Sequence, residues 1–273
     1  MPAPRTPMTR RADPDVRTPG LYRLLAWSSP SFPTGGFSYS HGLEAAVDAG
    51  TVHDRASLQG WIAAVVAHGS GRIDVDILRD AYRAAEAGDL TKLGDANERG
   101  LAYRATAELA LESAQQGEAF LATCVAAWFD PFAEAWTSPH PNHPQQAGEG
   151  TCEALPPPLA GEDRVGAFSR DEGGGVCHAA VFGAIAARAG IALEDALVGY
   201  LQAFAGNLVS AGIRFGVIGQ TDGQRILAAL EPLIGEAANA ALHRDSPDFG
   251  AATFAVDLAS AAHETQYSRL FRS

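Results

Sequence analysis

Leu58, Trp61, Ile62, Val65 and Val66 recur at intervals of three and four residues, which on an α-helix makes one continuous apolar stripe. Asp54 stands just ahead of them, where a helix N-cap is expected. The same period returns along the chain. Leu43, Ala46 and Val47 begin a short helix, and Ile77, Leu78 and Tyr82 mark another that ends near Gly88. A short helix is expected over Leu90–Glu98 and a long one from Tyr103 to Trp128, with Leu109, Leu111, Phe120, Leu121 and Val125 on its apolar side. Further helices are expected over His178–Ala189, Leu193–Gly212 and Ala252–His263. Thr221 and Gln224 have the spacing of a capping box that opens a helix carrying Ile226, Leu227, Leu230, Leu233 and Ile234. Alanine is abundant and strong β formers are scattered, which agrees with helix throughout. The expected fold is all-α: a single helical-bundle domain of about eight to ten helices.

Three stretches lack this period. Met1–Thr18 carries Arg and Pro without an apolar run and reads as a flexible leader rather than a secretory signal. Ser28–His41 holds Pro30, Pro33, Gly35 and Gly36, which force a non-helical path. Ser138–Val176 includes Pro156–Pro158 and Gly173–Gly175, a low-complexity composition too poor in apolar surface to offset its ordering entropy. It reads as a flexible Pro/Gly-rich insertion, at 138–176, within one domain spanning 19–273.

Charge and cysteine usage exclude some roles. The formal net charge of -12 disfavours nucleic-acid binding, which needs clustered Lys and Arg. No apolar run reaches the roughly 18 residues of a membrane helix. Cys124, Cys152 and Cys177 are odd in number and sparse, which suits a reducing cytoplasm better than a disulfide framework.

Catalytic motifs are missing too. Gly35-Gly36 is not followed by the Lys and Ser/Thr of a phosphate-binding loop, and His263-Glu264 lacks the second histidine of a zinc helix. There is no Gly-x-Ser-x-Gly elbow and no Cys-x-x-Cys. His140, His143, Cys152, Cys177 and His178 are ligand types that suit nickel, zinc or copper, but their loose spacing favours incidental placement. No metal site and no catalytic residue is assigned. The C-terminal residues Tyr267, Leu270 and Phe271, with Arg269 and Arg272, have the composition of an interface anchor. A tail folded onto its own domain accounts for the same residues equally well.

Three separated strings resemble the UreF family of urease accessory proteins. The first runs from Leu24 to Glu44 and contains Ser28-Ser29-Pro30, Pro33-Thr34-Gly35-Gly36-Phe37-Ser38-Tyr39-Ser40 and Gly42-Leu43-Glu44. The second is Gly219–Arg225, after a helix containing Asn207–Ser210. The third is His263–Ser273. Tyr103–Leu109 resembles the family's Arg-Glu-Thr stretch, with Ala105 in place of the acidic residue.

The resemblance implies an all-α homodimer that is not an enzyme. It implies a cytoplasmic scaffold or regulator that binds UreD (also called UreH), UreG and the urease apoprotein. Nickel would be cargo of that complex, with no cofactor held tightly by this subunit. The residues it marks for partner binding are Gly35, Gly36, Phe37, Ser38 and Tyr39 in the loop, and Gln220, Gln224 and Arg225 in the second string. In the tail they are His263, Glu264, Gln266, Tyr267, Ser268, Arg269, Leu270, Phe271 and Arg272. Two other roles compete with the scaffold: a metallochaperone that binds nickel directly, and a regulator of the UreG GTPase.

Overall fold

α-Helix is the only regular structure among the described residues apart from one 3₁₀ turn. The computed structural model describes residues 14–128, 175–244 and 248–273, with side chains from residue 19 onward. In chain order the helices are α1 (Pro14–Trp27), α2 (Leu43–Asp48), α3 (Arg55–His68), α4 (Ser70–Ala87) and α5 (Leu90–Ala102). They continue as α6 (Ala107–Ala127), α7 (His178–Arg188), α8 (Leu193–Arg214), α9 (Gln220–His243) and α10 (Phe254–His263). The all-α expectation holds. α1 begins at Pro14, inside the stretch expected to be a leader. The expected insertion lies outside the described residues up to residue 174.

α7 is the axis of the bundle. Ala179 to Ala186 are buried on every face, as expected of a helix surrounded by others. It packs most extensively on α4, and also on α5, α6 and α8. Small residues let the backbones meet: a Cβ added to Gly183 would lie 2.3 Å from the Leu78 carbonyl oxygen. The aromatic end of the core gathers Trp27, Phe32, Phe120, Trp128 and Phe182 in mostly edge-on or tilted contacts. Trp128, partly buried, thus packs against the core, and Trp61 is buried in its stripe as its period requires. Trp136 lies outside the described residues.

Local chemistry sets several boundaries. Asp54 and Ser57 form a reciprocal capping box at α3, with Ser57 N to Asp54 Oδ1 at 2.8 Å and Asp54 N to Ser57 Oγ at 3.0 Å. The expected box at Thr221 and Gln224 is absent: α9 starts at Gln220 behind Gly219, which has no side chain to cap it. The helix expected from Tyr103 starts at Ala107, and α5 extends past Glu98 to Ala102. Arg104 explains this break. Its side chain turns inward to the Gly100 carbonyl at 2.8 Å and the Asp74 carboxylate at 2.7 Å, and Thr106 then caps α6. Leu111 is 46% exposed and does not belong to the apolar face of α6.

Buried charges on α4 are paired. Asp74 meets Arg104 and accepts from the Tyr200 hydroxyl at 2.9 Å. Asp76 pairs with Arg244 at 2.6 Å and faces Arg79, whose guanidinium also donates to the Ala241 and Arg244 carbonyls at the end of α9. α8 passes a length-and-composition test for crossing a membrane, although Glu194, Asp195, Gln202 and Asn207 interrupt its apolar residues; half of the tested stretch is buried in the bundle.

His178 sits among Phe120, Phe182 and Tyr200. Burial pushes its pKa down to about 4, against the opposing pull of Asp74. In the unfolded chain the ring takes a proton near pH ~6.5. Stability should therefore fall as pH drops from that value and level off near 4. His178→Phe should flatten this part of the acid limb, measured as the urea midpoint at pH 7 and pH 4.5. An unchanged pH slope would assign the acid loss to other groups.

Candidate functional site

The loop after α1 is a built structure. Gly35 adopts the left-handed conformation (φ 73°) with open space where a Cβ would stand, so a turn requires it, not a close backbone approach. The 3₁₀ turn Gly36–Ser38 follows, and Asn207 of α8 donates to the Gly36 carbonyl at 2.7 Å and the Tyr39 carbonyl at 3.4 Å. Arg214 donates to the Phe37 carbonyl, which leaves the Phe37 ring 64% exposed. At the loop's end, His41 and Gly42 both have positive φ, 59° and 74°. Gly42 is needed twice over, since an added Cβ would stand 2.9 Å from Ser260 N in α10.

The C-terminal tail lies along this loop. The Arg272 amide donates to the Ser38 carbonyl at 2.8 Å, and Ser40 donates through its amide and its hydroxyl to the Ser273 main-chain oxygen at 2.6 and 2.5 Å. Glu44, at the start of α2, accepts the Leu270 amide at 2.7 Å and the Phe271 amide at 2.9 Å. Glu264 accepts the Ala107 and Glu108 amides, so the tail caps α6. Gln266 reaches Asp48, and Arg269 pairs with Glu108 at 2.5 Å.

Phe271 is buried against Phe215, with the Arg214 guanidinium 4.0 Å from its ring centre. The tail therefore folds onto its own domain. Phe271 is not held in reserve for a partner, and the Arg269 carboxylate partner is in this chain. Tyr267 and Leu270 do face outward, Leu270 at 65% exposure and Tyr267 fully.

Under the seam sits a cluster of acids and histidines. His263 is fully buried, with Nε2 3.1 Å from Glu44 Oε2 and Nδ1 2.7 Å from Glu108 Oε2. His41 places Nδ1 3.2 Å from Glu112 Oε2 and Nε2 2.5 Å from Ser70 Oγ. Burial works to raise the Glu112 carboxyl. The His41 ring and the Ser273 hydroxyl outweigh it and hold that carboxyl below its usual range. Tyr39 donates to Gln115, and burial raises its phenol.

The second string stands apart from this seam. Gln220, Gln224 and Arg225 are exposed on the first turns of α9, and Arg225 pairs with Asp222 at 2.9 Å. Of the cysteine and histidine set, His140, His143 and Cys152 lie outside the described residues. Cys177 is buried with its sulfur 3.4 Å from Arg104 Nη2 and 3.5 Å from Ser113 Oγ. Among the described residues no group of three or more His, Cys, Asp or Glu is arranged to hold a metal ion.

The UreF family model matches residues 52–231, about two thirds of the chain. The chain belongs to the UreF family. The urease accessory protein UreF of Bradyrhizobium sp. strain ORS 278 is 41% identical over 93% of this chain and 92% of its own length. That of Bradyrhizobium sp. strain BTAi1 is 40% identical over 100% of both chains, and that of Granulibacter bethesdensis is 41% identical over 93% and 94%.

The stretch matched to the UreF model runs from α3 into α9 and leaves out both the Gly/Pro loop and the tail. The match over both full lengths takes in the two segments that fold against each other. Sequence reasoning missed Glu108, Glu112 and Arg214, the groups that hold this UreF seam together. Their nearest signal was the Tyr103–Leu109 stretch, which contains Glu108; Glu112 and Arg214 lie in none of the strings.

Proposed function

We propose that this chain is an accessory factor in urease maturation that works by docking partners, and that its docking surface is the loop–tail seam. One observation carries the reading: buried carboxylates and a buried histidine are used to fix a surface segment whose Phe37, Tyr267 and Leu270 side chains point outward. Exposed aromatic and aliphatic groups on a rigid backbone are the usual anchors of a protein interface. The named relatives support the maturation role, since each is a urease accessory protein.

In this reading the seam binds UreD (UreH), and the assembly recruits UreG and the urease apoprotein. Nickel is cargo of the complex, the subunit works in the cytoplasm as a homodimer, and it performs no chemistry of its own. The exposed second string, Gln220, Gln224 and Arg225, supplies a separate contact. Urease activation in cells that carry the urease genes of the same source tests the role. Deleting this chain should abolish active urease while the apoprotein still accumulates, and restoring it should recover activity. Full activity without it would refute the role.

A further inference from the structure

His263 faces carboxylates from both sides, and that asks for more protons than a neutral ring has. Its two nitrogens lie 2.7 and 3.1 Å from carboxylate oxygens of Glu108 and Glu44, within hydrogen-bond reach of each. A neutral imidazole donates from one nitrogen only; both nitrogens donate in the imidazolium alone. The surrounding charge favours the same form. Glu44 on α2 and Glu108 on α6 are negative, and Arg269 of the tail is the one cation paired with them among the described residues. A neutral ring would leave the cluster with an uncompensated buried negative charge and one carboxylate facing a lone pair. The other groups around it do not supply that proton. Glu264 is engaged by the α6 amides, Ser260 bonds Thr106, and Glu112 is paired with His41.

We infer that His263 is held as an imidazolium and acts as a positioning residue, tying Glu44 to Glu108 so that Glu44 can fix the Leu270 and Phe271 amides. The proton is thus a latch on the tail. The latch is closed while both ring nitrogens donate, and a ring with one bare nitrogen leaves it open. The effect on partner docking rests on the function proposed above; the protonation state does not.

The test is nitrogen-15 NMR of the histidine rings in the full chain, with the exposed His53 as a reference in the same sample. Both His263 nitrogens should carry protons at pH 7. The Leu270 and Phe271 amides should lose their protection on going to pH 9 beyond the intrinsic rise in exchange. Glu108→Gln removes the demand for the second proton, so its tail should stay protected to higher pH than the wild type. One bare ring nitrogen at pH 7, or tail protection with the same pH profile in wild type and Glu108→Gln, would overturn the inference. Because these readouts need no partner, a failure to dock UreD would count against the proposed function and leave this test intact.

Discussion

A chain carrying Tyr267→Ala and Leu270→Asp should fold as the wild type does and fail to bind UreD. Both side chains are exposed and neither makes a described hydrogen bond through its side chain, so the stability change should stay within about 0.5 kcal/mol. At an interface core the outcome differs. The aspartate would be buried without a partner, and an anchor ring would be missing. A loss of at least about 2 kcal/mol is expected, roughly a 30-fold weaker Kd. Thermal unfolding and titration of purified UreD separate the two effects. A variant that melts well below the wild type would make these residues structural. One that binds normally would move the docking surface elsewhere.

A large effect on stability should come from Gly183→Ala. At most sites inside a helix this change gains up to about 1 kcal/mol of helix propensity. Here the new methyl group would sit 2.3 Å from the Leu78 carbonyl oxygen and 3.0 Å from its carbon. Those atoms are backbone, so no rotamer change relieves the clash. α4 and α7 must separate, and this is the most extensive helix pair in the bundle. A net loss of about 2–3 kcal/mol is expected, read as a lower urea midpoint. An unchanged or higher midpoint would mean that the two helices are less closely packed than described.

The reason these effects fall where they do also explains what the sequence discloses. The stripe Leu58, Trp61, Ile62, Val65, Val66 is local, and so is its Asp54 cap, and both are found as expected. The period does not reveal a helix end decided at a distance. The break at Tyr103–Thr106 depends on Arg104 reaching Asp74, thirty residues earlier in the chain. The seam is harder still to foresee. Glu44 and His263 are 219 residues apart, and neither sits in a pattern that marks it as buried. Family resemblance pointed to the loop and the tail as separate strings; it did not say that they touch. It also left Phe271 open as a free anchor, whereas packing on Phe215 and Arg214 fixes it in the core.

The proposed docking role rests on the division of the tail into buried and exposed residues. Phe271, His263 and the acids around them hold the backbone, while Tyr267 and Leu270 face solvent. A preformed segment of this kind loses less conformational freedom on docking than one that orders at that moment. It also makes the position of this surface depend on buried groups such as Glu44, which accepts the Leu270 and Phe271 amides.

The most direct measurement is size-exclusion chromatography with light scattering on this chain co-expressed with UreD and UreG from the same source. The wild type should elute in a stoichiometric complex centred on a dimer of this chain, and the Tyr267→Ala, Leu270→Asp variant should elute without UreD while remaining folded. A wild-type chain that stays alone in the presence of nickel and GTP, or a variant that assembles as fully as the wild type, would contradict the docking role of the loop–tail seam.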